Sequence, residues 1–351
     1  MPAKPEPIDI KKIRETIAAG RRARWWVRKG GKGKGFHYED ATGKRVTDDE
    51  DIARINSLVI PPAWRHVRIN PKAGGRVQCV GIDAIGRIQY RYHTSFSEKQ
   101  TRRKFSRIER FGEYLPKLRA VTNAHIMLDG FPKEKVLAIV VRLINSLYFR
   151  VGTDLSVKRY RTFGITTLQN KHLTIGRGGK LEFAFVGKSG VHHRKVLVDK
   201  ELADLMKQLK ELGRAGRLFH FVNGDGKPRP IKPNDINAYI KEATGAEFTS
   251  KDFRTWGATL LAAADLAELG PAEKATELKS NLVRVVKRVA SELGNTPAVC
   301  RSSYIHPRVF DLYSKGVTLE EFRPRRARSI RRIQEAADPE EIALLRLLMK
   351  Q

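Results

Sequence analysis

Five side chains, spread over more than 150 residues of the sequence, could together do chemistry on an anionic substrate. An arginine offers a planar fork of donors that stays charged at any working pH. A lysine can donate a proton, and an asparagine can donate a neutral hydrogen bond. A tyrosine can act as a nucleophile, but with an ordinary pKa of about 10 it needs help from surrounding positive charge. The side chains are Arg150, Lys188, Arg254, Asn295 and Tyr304.

The charge of the chain indicates what such residues would act on. Lys and Arg total 68 against 38 Asp and Glu, a formal net charge of +30. So large a charge disfavours the compact state through self-repulsion, which makes a polyanionic partner, DNA or RNA, the natural explanation. Solvated surface is the alternative for any single basic cluster. Clusters occur at residues 21–28, 102–110, 158–161 and 323–332.

Length and composition exclude several classes of protein. The 351 residues suffice for two domains, and 41% hydrophobic residues are too many for a disordered basic tail. No apolar run approaches the roughly 18 residues that a membrane span needs. The first residues have no apolar segment behind their charges, so we expect no secretory signal. The two cysteines, Cys79 and Cys300, cannot form a disulfide framework or a four-cysteine zinc site.

The first hundred residues have a β-rich pattern. Residues 76–93 predict two strands around a turn at 83–86, and we expect helices at 8–19 and 48–58. Residues 30–35 predict a flexible basic loop. The character changes at 94–98, where Ser97 begins a capping-box spacing and apolar residues then recur with helical period. We therefore place a domain boundary between residues 97 and 98.

The rest of the chain predicts a mainly helical domain that contains a small sheet. A helix opening at Pro132 should end near Gly152, with Arg150 at its C-terminal end. Strands are expected at 165–169, 172–175, 181–186 and 192–198, with a turn at 187–190 before the last. From residue 199 onward the pattern is helical, with breaks at 224–230, 270–271, 294–297 and Pro307. The predicted fold class is α+β: a small β-rich N-terminal domain, 1–97, and a larger mainly α-helical domain, 98–351, with a small antiparallel sheet.

Two local motifs fail on inspection. Residues 186–189 look like the end of a phosphate-binding P-loop. That motif needs a glycine at position 182, where this chain has Glu182. His192 and His193 have no cysteine or carboxylate near them at metal-ligand spacing, which favours a pair of surface histidines. The sequence predicts no metal site.

Taken in order, the chemical segments resemble a known signature. They are similar to the catalytic motifs of type IB DNA topoisomerases, in the small poxvirus-type and bacterial branch. The fold that this resemblance implies is the one shared by tyrosine recombinases and type IB topoisomerases. The segments are residues 149–152, 185–188, 251–257, 293–297 and 303–304. The nine-residue separation of Asn295 from Tyr304 fits that pattern. Residues 81–93 resemble the N-terminal domain of the same family. Many relatives carry histidine where this chain has Asn295.

The resemblance implies an activity and a set of roles. Family members cut one strand of duplex DNA through a 3′-phosphotyrosyl bond, let the strand rotate, and reseal it, thereby relaxing positive and negative supercoils without ATP or metal. Tyr304 matches the nucleophile and Lys188 the general acid. Arg150, Arg254 and Asn295 match donors to the non-bridging phosphate oxygens. Lys251 would lie near the same phosphate.

The resemblance also implies how DNA is bound. In the family the N-terminal domain closes over the duplex to complete a clamp. Gln89, Tyr90 and Tyr92 match positions that touch DNA, although Tyr90 and Tyr92 could instead be strand tyrosines facing a core. Residues 30–35 and 323–332 would make sequence-independent phosphate contacts. The expected protein is a monomer in the cytoplasm, associated with the nucleoid, whose partner is double-stranded DNA, with no cofactor and no membrane.

Alternatives remain open at this point. A tyrosine recombinase shares the same five residue types, and a non-catalytic nucleoid protein would share the charge. Individually, Tyr304 could be a half-buried core tyrosine, Arg150 could interact with the dipole of its own helix, and Arg254 could pair with Asp252. Lys188 could be an ordinary turn lysine.

Overall fold

The computed structural model describes residues 10–31, 33, 35–212, 216–224, 226–323 and 338–350. The chain divides into two units, Met1–Lys104 and Phe105–Gln351. A single helix, α3 (Thr94–Ile126), runs through this division and also through the boundary predicted between residues 97 and 98. That boundary therefore stays a prediction. Strands dominate the first unit and helices the second, which confirms the α+β class.

The first unit is built on an antiparallel sheet of five strands in the order β2-β1-β3-β4-β5. Two helices accompany it, α1 (Ile10–Ala18) and α2 (Asp49–Ser57), close to the predicted ranges. Residues 8 and 9 lie outside the described residues. The strands are β1 (Trp26–Gly31), β2 (Gly35–Glu39), β3 (Arg65–Ile69), β4 (Val77–Ile82) and β5 (Ile88–Tyr92).

Two hairpins of this sheet test predictions made from the sequence. The β4–β5 hairpin is confirmed, and the Asp83 carboxylate holds its turn by accepting from the backbone N–H groups of Ile85 at 3.1 Å and Arg87 at 2.8 Å. The loop predicted at 30–35 is wrong in part, because Gly31 and Gly35 pair as the last rung of the β1–β2 ladder. Glycine-rich sequence hid the strand ends, since glycine has no side chain to show alternation.

The second unit begins with two helices, and the second of them ends shortly before Arg150. The start of α3 at Thr94 precedes the predicted Ser97 by one turn. The helix α4 (Lys133–Leu147) follows Pro132 as predicted and buries its apolar face. It ends five residues before the predicted Gly152, because Tyr148 takes a left-handed conformation with φ of 56°. Arg150 therefore lies beyond the helix, which corrects the predicted helical position.

The small sheet of the second unit has three antiparallel strands in the order β6-β7-β8: β6 (Leu173–Ile175), β7 (Lys180–Val186) and β8 (His192–Val198). The predicted strands 172–175, 181–186 and 192–198 are confirmed. The predicted strand at 165–169 is wrong. There the chain makes a short 3-10 turn, because the N–H groups of Ile165 and Thr166 bond to the carbonyls of Arg150 and Val151 at 2.8 and 2.9 Å.

The remaining helices enclose one large apolar core, and α8 is the most deeply buried of those described. A two-stranded ribbon lies between α6 and α7. Its second strand falls in the predicted break at 224–230, whereas its first strand replaces predicted helix. Its strands have only three residues each, too few for alternation to be seen. The elements are α5 (Asp154–Tyr160), α6 (Lys200–Leu212), β9 (His220–Val222), β10 (Pro228–Pro230), α7 (Pro233–Thr244), α8 (Ser250–Leu269), α9 (Ala275–Leu293), α10 (Pro297–Ser303), α11 (Pro307–Tyr313) and α12 (Pro339–Met349).

Among the residues that the structure describes, no helix is both long and apolar enough to cross a membrane.

Candidate active site

Arg150 reaches across the second unit to the end of a different helix. Its guanidinium donates to the carbonyl of Gly294 at 3.1 Å and, at 3.5 Å, to that of Leu293, the last residue of α9. These carbonyls lack partners within their own helix, and the helix dipole makes that end favourable for a cation. The interpretation that Arg150 serves the dipole of its own helix, α4, is therefore wrong.

Arg254 lies in the second turn of α8 and is only 4% exposed. It donates to the carbonyls of Tyr148 and, at 2.8 Å, of Leu293. Burial and, to a lesser extent, the nearby charge of Arg150 lower the pKa of Arg254 to about 10, while Tyr304 acts in the opposite sense. At neutral pH the guanidinium remains charged, so a cation sits in the interior beside a second one.

Asp252 is bound by a residue other than Arg254. Its carboxylate accepts from Arg107 at 2.6 Å and from the backbone N–H of Thr249 at 2.7 Å, which caps the start of α8. The interpretation of Arg254 as the ion-pair partner of Asp252 is wrong. The consequence is that the donors of Arg254 face the end of α9 rather than a carboxylate.

Tyr304 directly follows α10, the short helix that opens at Pro297. Its N–H bonds to the carbonyl of Cys300 at 2.9 Å, and its own carbonyl accepts from the Thr259 hydroxyl of α8 at 3.3 Å. The side chain is half-buried, as the core-tyrosine alternative requires. Its ring nevertheless lies beside a charged group, with the Arg254 guanidinium carbon 5.4 Å from the ring centroid.

Asn295 is oriented by its bond to Arg150. The amide oxygen accepts from the Arg150 guanidinium, and because a guanidinium has donors only, the amide must face it with oxygen. The Nδ2 group is thereby turned away. Within the described residues this buried nitrogen has no hydrogen-bond partner, and neither has Nε of Arg254. Leaving buried donors unpaired costs about 1–3 kcal/mol each, a cost that a bound acceptor would remove.

Lys188 lies on the turn between β7 and β8. The turn runs through Ser189 and Gly190, both with positive φ, and the lysine side chain is exposed. Lys188 lines the same small cavity as Arg150 and Arg254. Lys251, by contrast, is exposed one turn before Arg254 on α8 and does not line this cavity. Arg150 thus contacts the amide, Arg254 lies beside the tyrosine, and Lys188 shares the lining of the cavity with both arginines.

Comparison with known proteins gives this arrangement a family. Residues 93–326 match the model of the eukaryotic DNA topoisomerase I catalytic core, and residues 35–83 match that of the bacterial DNA topoisomerase IB N-terminal domain. DNA topoisomerase 1B of Acanthamoeba polyphaga mimivirus is 31% identical over 292 residues, which cover 80% of this chain and 84% of that protein. The chain belongs to the type IB DNA topoisomerases.

More distant relatives carry the same family name. DNA topoisomerase 1B of vaccinia virus, strain Copenhagen, is 22% identical over 239 residues, 68% of this chain and 72% of the viral protein. DNA topoisomerase 1 of Daucus carota is 24% identical over 184 residues, 51% of this chain and 22% of the plant protein. The chain is therefore a member of an enzyme family that acts on DNA, which favours a topoisomerase over both alternatives, the recombinase and the non-catalytic nucleoid protein.

One residue of this topoisomerase site was missed by the sequence interpretation. His193 is half-buried and lines the cavity with Lys188, so the interpretation of His192 and His193 as a surface pair is wrong for the second of them. The signal was the strand alternation: His193 pairs with Phe185, which faces the core. Among the described residues, no group of three or more His, Cys, Asp or Glu could hold a metal ion.

The DNA-binding residues predicted in the first unit lie on β5. Tyr90 and Tyr92 are 40% and 43% exposed and share one strand face, with ring centroids 6.1 Å apart. The interpretation of the two as core-facing tyrosines is wrong. Gln89 donates from Nε2 to the Asp83 carboxylate at 2.9 Å, so one of its donors already supports the turn.

The basic segments expected to contact phosphates are described only in part. In the 323–332 stretch, only Arg323 belongs to the described residues, and it donates to Glu340 at 2.6 Å. In the 30–35 segment, positions 32 and 34 lie outside them. The phosphate contacts of both segments stay predictions.

An Asn295→Asp variant tests the orientation of this amide. The substitution keeps an oxygen towards Arg150 but replaces the unpaired donor with a second acceptor that carries charge. We expect the rate of DNA cleavage to fall by about 10²–10³-fold, the usual cost of one preorganised donor. The measurement is single-turnover formation of the protein–DNA adduct. Asn223→Asp, which adds the same charge on the exposed β9–β10 connection, is the control, and equal rates for both variants would contradict the donor role.

Proposed function

We propose that this topoisomerase relaxes positive and negative supercoils by transient cleavage of one DNA strand, rotation of that strand and religation. The observation that supports the proposal best is a pair of buried donors, on Arg254 and Asn295, that have no partner among the described residues, with the Tyr304 ring beside the Arg254 guanidinium. A phosphate in that place would supply the missing acceptors.

Cleavage is proposed to begin with Tyr304. Its hydroxyl oxygen attacks the phosphorus and loses its proton to solvent, a new oxygen–phosphorus bond forms, and the bond from phosphorus to the 5′-oxygen breaks. The product is a 3′-phosphotyrosyl bond and a free 5′-hydroxyl. Positive charge beside a phenol stabilises the oxyanion that must form, which is the part we assign to Arg254.

The transition state gathers negative charge on the non-bridging oxygens. Arg150 and Arg254 can offer several N–H groups each while keeping their bonds to the end of α9, because a guanidinium has five. Asn295 adds a neutral donor. Donors held in place before the reaction need no reorganisation during it, and this makes them effective.

The leaving 5′-oxygen needs a proton, which we assign to Lys188. Its exposed side chain on a turn can approach a phosphate bound by the two arginines that line the same cavity. In religation the 5′-hydroxyl returns that proton to Lys188 and attacks the phosphotyrosyl bond, so the same groups act in reverse. Lys251 is proposed to contact the flanking DNA.

The proposed reaction uses neither ATP nor a metal ion. Exchange of one phosphodiester for another conserves bond energy, so supercoil strain suffices as driving force and ATP is not needed. The arginines supply charge that other enzymes draw from Mg²⁺.

In the first unit, Tyr90, Tyr92 and the remaining donors of Gln89 are proposed to contact the duplex. We further propose a monomer that works in the cytoplasm on nucleoid DNA.

Relaxation of a supercoiled plasmid in EDTA, without ATP, tests the proposal. We expect relaxed topoisomers from both positively and negatively supercoiled DNA, with rates in EDTA close to those with Mg²⁺. Denaturant added during the reaction should trap a covalent protein–DNA adduct. A strict need for Mg²⁺ or ATP, strand exchange between two sites, or DNA binding without any adduct would contradict it.

A further inference from the structure

His193 lies next to the turn that carries Lys188. It is the second residue of β8 and pairs with Phe185 across the hairpin. The two rings stack, with centroids 5.1 Å apart and planes inclined by 24°. Within the described residues no hydrogen bond holds the imidazole. Packing alone therefore determines where the ring lies.

Two glycines lie against this ring, and both approach it near Nε2. A Cβ atom at Gly187 would lie 2.5 Å from Cδ2 and 2.6 Å from Nε2 of His193. At Gly294 it would lie 2.9 Å from Nε2 and closer still to Cε1. Gly187 has φ of −96°, which any residue adopts, so its backbone conformation does not require glycine. The space that glycine leaves there is filled by the imidazole.

Each of these glycines directly precedes a residue of the site. Gly187 comes before Lys188, and Gly294 comes before Asn295. The imidazole thus separates the turn with the proposed acid from the turn with the proposed amide donor. Side chains in a packed interior fill the space between neighbouring segments and so fix their spacing. Removing the ring would therefore let the two turns change their spacing.

Burial and the surrounding charges keep His193 neutral. Burial, together with the charges of Lys195, Arg150 and Arg254, lowers its pKa to about 4, while Glu292 opposes them. At neutral pH the ring therefore fills space among three cations without adding a fourth.

We propose that His193 is a positioning residue for proton transfer: its ring fixes the turn that carries Lys188 relative to Asn295, and hence relative to the phosphate. It acts through Lys188 and contacts no reacting atom itself. This inference rests on the proposed function.

Single-turnover cleavage of two substrates tests the inference. One substrate has the ordinary 5′-oxygen at the scissile phosphate, and the other has a bridging 5′-sulfur, which leaves as a thiolate without needing a proton. We expect His193→Ala to cleave the oxygen substrate about 10²-fold more slowly than wild type, the cost of a displacement of about 1 Å. On the sulfur substrate it should cleave at nearly the wild-type rate. His192→Ala, which alters the exposed neighbour, is the control and should match wild type on both.

The possible failures separate the two proposals. An equal loss on both substrates, or no loss on the oxygen substrate, would overturn the positioning role but leave the proposed function intact. A wild-type chain that forms no adduct on either substrate would overturn both.

A double-mutant cycle gives a second measurement that does not depend on the folding of one variant. Gly187→Ala places a methyl group against the imidazole and should slow cleavage of the oxygen substrate. In a His193→Ala background the space is vacant, so the added methyl group should cost little more. Losses that simply add would overturn the inference.

Discussion

A Tyr304→Phe variant should bind duplex DNA as tightly as the wild-type chain, yet form no covalent adduct and relax no supercoils. The substitution removes only the hydroxyl group. The phenyl ring keeps its place beside Arg254, and the backbone keeps its bonds to Cys300 and Thr259. Binding depends on many cations, 68 in the whole chain, whereas the chemistry depends on one nucleophile. Plasmid relaxation, adduct trapping and a binding titration measure the three quantities.

Tyr313→Phe is the matched control for loss of a tyrosine hydroxyl. The Tyr313 hydroxyl donates to the carbonyl of Gly270 and accepts from Asn281, both at 2.8 Å, in the core. Removal of this hydroxyl should lower the free energy of unfolding by about 1–3 kcal/mol and leave the formation of the covalent adduct unchanged. Relaxation that persisted in Tyr304→Phe would show that another group is the nucleophile.

Lys188→Ala should bind DNA normally but cleave it about 10²–10⁴-fold more slowly, the range for a positioned general acid. The lysine is exposed on a turn, so its truncation leaves the core packing unchanged. On a substrate with a bridging 5′-sulfur the variant should recover most of the wild-type rate, because the sulfur leaves without a proton. Single-turnover cleavage of both substrates is the measurement.

Lys180→Ala provides the comparison for this second variant. Lys180 begins the same strand, β7, and is likewise exposed, so its removal subtracts the same charge from the same sheet. It should behave as wild type on both substrates. If the sulfur substrate failed to restore Lys188→Ala, the proton would have to come from elsewhere, and Lys251→Ala would be the next variant to measure.

Local patterns predicted much of the fold. Alternation along β7 and β8 placed the hairpin turn under Lys188, and Pro132 marked the start of α4. The segment 165–169 was misassigned because its backbone bonds go to Arg150 and Val151, which no property of that segment indicates. Tertiary hydrogen bonds overrode local preference there.

The types of the site residues were apparent from the sequence, but their surroundings were not. Two acceptors of Arg150 lie more than 140 residues further along the chain and are backbone carbonyls, which every sequence has. Composition cannot single out such partners. The unpaired donor of Asn295 follows from the bond between its amide oxygen and Arg150. His193 was missed because it was assessed as a metal ligand rather than by the face of the strand on which it lies.

The Leu293 carbonyl, which accepts from both Arg150 and Arg254, has an implication for how this enzyme can vary. A main-chain oxygen is present whatever side chain a codon specifies. Substitutions along the outer surface of α9 can therefore accumulate without disturbing the paired guanidiniums. Insertions or deletions that move the last turn of that helix would displace both together, so the length of α9 is under tighter constraint than its composition.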